Sequence, residues 1–321
     1  MYRTLFVINP ISGGGDALRT WARVRPEMAR SGLQFSEQFT AGPGDATQAT
    51  IDALRSGILQ VVAVGGDGTL NEVLNGYLDP EGRPLNPDAR LAILPAGTGS
   101  DFRKSLYQSE PGAHGQHRFD CTQKAILAIT SDQTRPVDAG LVTCHDQQGA
   151  PVTRFFMNVV TFGLGGDVSR LVNGWRGRLP TWIGGRIRFA SAAVRALAYY
   201  KTNPVAIQAD NSQVNVESNL IVVANGRFAG GGMMLAPAAL IDDGLFDIII
   251  TNRASRLDVV RELPRIRRGG YLDNPKVDML RAAEVSLVTS RPVPLDIDGE
   301  SGNYAPARFR LLPSVIRFAA L

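Results

Sequence analysis

The chain has 321 residues, of which 44% are apolar and 20% charged, and a formal net charge of +4. This is the balance of a folded chain, not a disordered one, and the length suits two cores better than one. No apolar run reaches the roughly 18 residues of a membrane span, and the opening residues are too short an apolar stretch for a signal peptide, so a cytoplasmic protein is expected.

In the first hundred residues an apolar, β-rich run gives way three times to a glycine-containing turn and then to a helical pattern. Residues 4–8 run into Asn9-Pro10-Ile11-Ser12-Gly13-Gly14-Gly15, with a helix over 17–30. Residues 60–64 run into Gly65-Gly66-Asp67-Gly68-Thr69, with a helix over 70–77. Residues 91–94 run into Pro95-Ala96-Gly97-Thr98-Gly99-Ser100-Asp101, again before a helix. Short, almost wholly apolar strands alternating with helices predict a parallel sheet covered on both faces, its loops gathered at the carboxyl ends of the strands where such sheets bind ligands.

Past Arg135-Pro136 the alternation stops. Strands are expected over 137–143, 154–162, 205–209, 219–224, 245–251 and 284–288, with few helices between them, at 185–200 and 256–267. The fold class is therefore an α/β nucleotide-binding domain with a parallel sheet over residues 1–135, followed by a mostly β, sandwich-like domain over 136–300. A last strand near 314–318 can close either domain, and the segment 301–321 is expected to pack back on the first. Cys121 and Cys144 are expected as free thiols in a reducing compartment.

Charge is unevenly spread. From 168 to 209 there is no acidic residue, while Arg170, Arg176, Arg178, Arg186, Arg188, Arg195 and Lys201 lie there with Trp175, Trp182, Tyr199 and Tyr200. Cations mixed with aromatics suit a surface resting among lipid headgroups; an amphipathic helix with a solvated basic face fits the same residues. Arg261, Arg265, Arg267 and Arg268 form a second basic cluster, read by default as a solvated helix face. No nucleic-acid module accompanies the charge, so nucleic acid is not expected as a partner.

Glycine turns opening onto helices are suited to phosphate, because bare backbone N–H groups and the helix dipole point at the anion. A Walker loop is absent, since no lysine follows these glycines at the required spacing, and GxGxxG fails at Asn71. An EF-hand starting at Asp242 would need a glutamate where Arg253 stands, and His114 and His117 have no further zinc ligands nearby. Asp67 is the only carboxylate within the second glycine turn; it can serve a cation or cap the following helix. Asp298-Gly299 is a hairpin signal whether or not Glu300 carries chemistry.

Gly65-Gly66-Asp67-Gly68-Thr69-Leu70-Asn71-Glu72 resembles the GGDGTxNE signature of the diacylglycerol kinase catalytic-domain superfamily, which includes bacterial diacylglycerol- and sphingosine-kinase-like lipid kinases. Asn9-Pro10-Ile11-Ser12-Gly13 is similar to its NPxSG, and 95–102 to its PxGTxNDF, with Ser100 where the family usually has asparagine. Ala224-Asn225-Gly226, Leu240-Ile241-Asp242-Asp243-Gly244-Leu245 and Asp298-Gly299-Glu300 match later motifs in order. The resemblance implies ATP-dependent phosphorylation of a lipid hydroxyl with Mg²⁺. It implies that Asn9, Pro10, Ser12, Gly13, Thr40, Gly65, Gly66, Asp67, Gly68, Thr69, Asn71, Glu72 and Thr98 surround ATP. Glu300 would be the general base, Asp298 would assist its orientation, and Asp67 would support Mg²⁺. A second cation would sit on the Asp243 carboxylate and the backbone oxygens of Leu240 and Leu245, where the same residues can equally form a capped turn. The implied partner is a lipid substrate at the membrane surface, reached by peripheral contact at the inner face, and a homodimer stays open. Two other readings are an NAD kinase-like phosphotransferase and a non-catalytic nucleotide-sensing module at membranes.

Overall fold

Strands buried along almost their whole length need cover on both faces, and that requirement sets the plan of the first half. The structure, a computed structural model, describes residues 3–96, 100–107, 118–174, 185–199 and 201–320. In chain order the first half comprises β1 (Thr4–Ile8), a 3₁₀ turn (Ser12–Gly14), α1 (Asp16–Arg30), β2 (Phe35–Phe39), α2 (Asp45–Arg55), β3 (Gln60–Gly65), α3 (Asp67–Tyr77), β4 (Arg90–Pro95), α4 (Asp101–Leu106) and α5 (Arg118–Thr130). The strands pair in parallel in the order β2-β1-β3-β4. Leu5, Val7, Val61 and Ala63 face a core shared with α2 and α3, whereas Phe6, Ile8, Val62 and Val64 face Trp21, Val24 and Met28 of α1. Because β2 and β3 flank β1 on opposite sides, the strand order reverses there, and the turns after β1 and β3 open beside that reversal.

The second half comprises β5 (Thr134–His145), β6 (Pro151–Phe156), β7 (Val159–Gly163), α6 (Leu164–Gly174), α7 (Gly185–Ala198), β8 (Asn203–Ala209), β9 (Ser212–Ser218), β10 (Leu220–Ala224), β11 (Phe228–Ala229), β12 (Met233–Met234), β13 (Phe246–Thr251), α8 (Arg256–Ile266), β14 (Val277–Ala282), β15 (Glu284–Thr289), β16 (Val293–Ile297) and β17 (Glu300–Ala319). Side chains alternating inward from these strands, among them Phe156, Phe162, Ile207, Ile221, Phe246, Val285, Leu295 and Phe309, form the sandwich core. The opposite face of β7, β10 and β13 carries Val159, Val222, Ala224 and Ile249 and is covered by Ile266 of α8 and by Tyr271. α6 packs beside it on β16, and α6, α7 and α8 meet through Leu164, Val168, Ala192, Ala196 and Val259.

β17 joins the halves. It pairs antiparallel with β16, β15 and β5 and reaches β4 in parallel at Phe318, opposite Leu91. The short strand expected near 314–318 is thus the end of a 20-residue strand.

Three local expectations are corrected. The strand expected over 154–162 breaks after Phe156, because the N–H groups of Met157, Asn158 and Val159 turn to the carboxylate of Asp298. The second half holds more helix than expected, since α6 follows β7 directly. A Cβ on Gly166 would come within 2.6 Å of the Pro294 backbone, so here glycine permits close packing of helix on strand. β2, β9 and β14, with largely exposed or half-buried residues, lack an apolar run and were not among the expected strands.

Candidate active site

The glycine turns touch one another. The Asn9 N–H donates to the Val64 carbonyl at 3.1 Å, and its side-chain amide donates to the Thr69 hydroxyl at 3.2 Å. The Ala96 N–H donates to the Gly65 carbonyl at 2.8 Å, and a Cβ on Gly13, whose φ is 61°, would lie 2.5 Å from the Ala96 carbonyl oxygen. The Thr40 N–H donates to the Ile8 carbonyl at 2.9 Å, which sets the end of β2 beside Asn9. Ser12 follows in the 3₁₀ turn with its N–H on the Asn9 carbonyl. α3 begins at Gly66 with no side-chain cap, so its first N–H groups and the positive end of its dipole face the space these turns enclose. Asn9, Pro10, Ser12, Gly13, Thr40, Gly65, Gly66, Asp67, Gly68 and Thr69 therefore gather at one edge of the sheet, while Thr98 lies outside the described residues.

Asp67 does not cap its own helix. Its Oδ2 accepts the N–H of Asp101 at 2.9 Å and its Oδ1 that of Phe102 at 3.1 Å, so it caps α4 across the turn. Burial, together with the nearby Asp101 charge, raises its pKa to about 6 against those two hydrogen bonds. Asp101 in turn accepts the Gly231 N–H at 2.7 Å and pairs with Lys104 at 2.7 Å, linking α4 to the loop between β11 and β12. Asn71 and Glu72 act as braces. The Asn71 amide donates to the Phe155 carbonyl at 3.0 Å and to Asp298 Oδ2 at 3.1 Å, and Glu72 Oε2 accepts the N–H groups of Gly44 and Ala46 at the start of α2. Burial raises the Glu72 pKa.

From the other half comes the turn between β16 and β17. Asp298 and Gly299 both have positive φ, 49° and 93°, as a two-residue hairpin turn requires. The Asp298 carboxylate accepts four hydrogen bonds: from the N–H groups of Met157 (2.8 Å), Asn158 (3.1 Å) and Val159 (2.9 Å), and from Asn71. Burial pushes its pKa up and these donors oppose the shift. The turn is the hairpin its sequence signals, and it carries Glu300, exposed, to the glycine loop: Glu300 Oε1 lies 3.7 Å from where a Cβ on Gly68 would stand. Asp296, two residues before Asp298, has one carboxylate oxygen enclosed without a hydrogen-bond partner, and burial lifts its pKa to about 7.

Asp67, Asp298 and Glu300 place three carboxylates beside the glycine turns, oxygen donors of the type a hard cation takes. Among the described residues no three acidic, histidine or cysteine side chains converge as a metal cage.

The second cation expected on Leu240, Asp243 and Leu245 meets a different arrangement. Asp243 Oδ1 accepts the Leu245 N–H at 3.2 Å, and its Oδ2 pairs with Arg281. Asp242 pairs with Arg135, and Asp138 accepts the N–H groups of Gly244 and Ser314. In this arrangement the Arg281 guanidinium supplies the counter-charge to Asp243.

Sequence reading gave no role to Asp101, Asn75 or Asp296. Asn75, one helical turn after Asn71, exchanges hydrogen bonds of 3.0 Å with both backbone groups of Phe155, a pairing that only the i, i+4 spacing hints at. Of the basic aromatic stretch, Arg176, Arg178, Trp175, Trp182 and Tyr200 lie outside the described residues, as do the side chains of Arg186 and Arg188.

The family described as "Diacylglycerol kinase catalytic domain" matches residues 3–142, and that described as "YegS C-terminal NAD kinase beta sandwich-like domain" matches residues 158–320. The chain is 28% identical over 309 residues to a diacylglycerol kinase of Bacillus subtilis, covering 96% of this chain and 93% of that one. It is 29% identical over 303 residues to a diacylglycerol kinase of Staphylococcus haemolyticus, covering 94% and 83%. The crystal structure of a diacylglycerol kinase from Bacillus anthracis superimposes with a TM-score of 0.70 at 22% identity, over 100% of this chain and 97% of that one, a likeness of fold.

Proposed function

The chain belongs to the diacylglycerol kinase catalytic-domain superfamily and is a lipid kinase, and from that premise we propose that it transfers the γ-phosphoryl group of ATP, with Mg²⁺, to the hydroxyl of a diacylglycerol-like or sphingoid lipid at a membrane surface. The observation that carries this reading is the approach of Glu300 to Gly68: an exposed carboxylate of the second half stands over the loop whose N–H groups suit a phosphate.

Phosphoryl transfer needs positioning and charge stabilisation more than covalent chemistry. The uncapped start of α3 and the turns at Asn9–Gly13 and Gly65–Thr69 hold the phosphates. Asp67 would hold Mg²⁺ when it is bound, and the ion would supply charge neutralisation at the transferring group. Glu300 accepts the proton of the attacking hydroxyl. Asp298 holds no substrate; by fixing the 157–159 backbone and Asn71 it keeps Glu300 at the mouth of the cleft. No described helix is long and apolar enough to cross a membrane; on this reading the acceptor is met by peripheral contact with the lipid surface.

The test is phosphate transfer from radiolabelled Mg-ATP to a dispersed panel of diacylglycerol, ceramide, sphingosine and phosphatidylglycerol, with NAD as a soluble control. Labelled diacylglycerol or sphingosine is expected. Label on NAD alone, or on none of the lipids, refutes the proposal.

A further inference from the structure

The strongest unassigned surface is the outer face of α8. Its two acids are both engaged along the helix flank. Asp258 closes the capping box with Ser255 and pairs with Lys276 at 2.7 Å. Glu262 accepts from Arg265 and, at 2.9 Å, from Asn274. Val259 and Ile266 point inward. What remains outside is Leu257 (66% exposed), Val260 (47%) and Leu263 (40%), with exposed Arg261, Arg267 and Arg268. Helical spacing puts Leu257, Val260 and Arg261 on one stripe with no carboxylate among them, and exposed Arg267 and Arg268 follow in the turn just past the helix end at Ile266. α7, in the same helical layer, likewise turns Val194 (71%), Arg195 and Tyr199 (76%) outward. An ordinary solvated face mixes both signs of charge and keeps large aliphatic groups few.

We propose that this face of α8 docks the enzyme on an anionic bilayer, with the aliphatic side chains entering the headgroup region and the arginines on lipid phosphates. The proposal rests on the lipid-acceptor reading above. It replaces the default reading of 261–268 as a solvated basic face: Arg265 is drawn into pairs with Glu262 and Asp273, whereas its neighbours project outward with the leucines. The pattern of an in-plane interfacial helix is apolar residues flanked by arginine on one face. A polyphosphate strand would meet the arginines but leave three aliphatic side chains against its charged backbone, so a bilayer is the fitting occupant.

The experiment uses the full chain and vesicles of phosphatidylcholine with or without phosphatidylglycerol. Wild type is expected to sediment with phosphatidylglycerol vesicles and to be released by salt. R261Q/R267Q/R268Q should weaken that binding by roughly 100-fold, and L257S/V260S should weaken it without changing its salt dependence. Both variants should melt as wild type does and should phosphorylate a water-soluble short-chain diacylglycerol at the wild-type rate. Equal vesicle binding by wild type and the arginine variant overturns the proposal, as does binding unaffected by L257S/V260S, which marks a purely ionic site. Failure of every form to phosphorylate short-chain diacylglycerol would instead overturn the lipid-acceptor reading, whatever the vesicles show.

Discussion

Asp298 and Glu300 are two residues apart, yet the structure gives them separable consequences. Asp298→Ala removes the acceptor of three main-chain N–H groups, on Met157, Asn158 and Val159, all within residues less than 6% exposed, and of the Asn71 amide. Each buried donor left unpaired costs about 1–3 kcal/mol. Allowing for local relaxation and for the relief of a desolvated carboxylate, a loss of about 3–5 kcal/mol is expected, a drop in melting temperature on the order of 10 °C. Glu300→Gln touches an exposed side chain with no hydrogen bond of this kind, so its melting temperature should stay within about 2 °C of wild type. Its turnover should nevertheless fall by roughly 10²–10⁴-fold, the usual yield of a positioned general base. Calorimetry and initial-rate kinetics on the same preparations check both halves. If Asp298→Ala melts like wild type, the four-donor brace is not what holds the turn. If Glu300→Gln turns over normally, Glu300 is not the base.

Three further outcomes are expected. Asp67→Asn keeps an oxygen for α4 but loses the charge facing Mg²⁺, so kcat should fall at least ~10²-fold with little change in melting temperature; a large melting shift with near-normal kcat would make Asp67 a helix cap alone. Asp296 is raised to about 7 and Asp67 to about 6 from an ordinary 3.8, so between about pH 4 and 7 the folded chain binds protons that the unfolded chain releases. These groups therefore make stability fall as pH rises through that window, and Asp296→Asn should shrink the difference in melting temperature between pH 5 and pH 8. Because Arg281 already neutralises Asp243, the melting temperature of the nucleotide-free wild type should not respond to millimolar Mg²⁺, while Arg281→Gln should make it respond; a wild-type response to Mg²⁺ sinks that account.

The strand-turn-helix units of the first half were legible because every signal for them is local: apolar runs such as Gln60–Gly65, then glycine, then helical period. Glu300 was reached through resemblance, and its place over Gly68 came only with the fold. What stayed hidden depends on partners distant in the chain. Nothing near Asp298 announces that its carboxylate will gather N–H groups from 157–159, so the break in that strand could not be foreseen. Nor does Glu72 reveal that it serves α2. Ser100 adopts a left-handed φ of 48° at the start of α4, a conformation asparagine tolerates better than serine; this gives a backbone reason for the asparagine usual in the family.

The pairing of Phe318 with Leu91 also bears on biogenesis. While the ribosome is still making the second half, one flank of β4 has no neighbour, and its unpaired amides and carbonyls are open to any extended segment that passes. The nucleotide-binding half can form its buried strands early, but its sheet is finished only after Phe318 has been translated. Chains stalled between the halves should therefore be a species that chaperones hold and proteases remove.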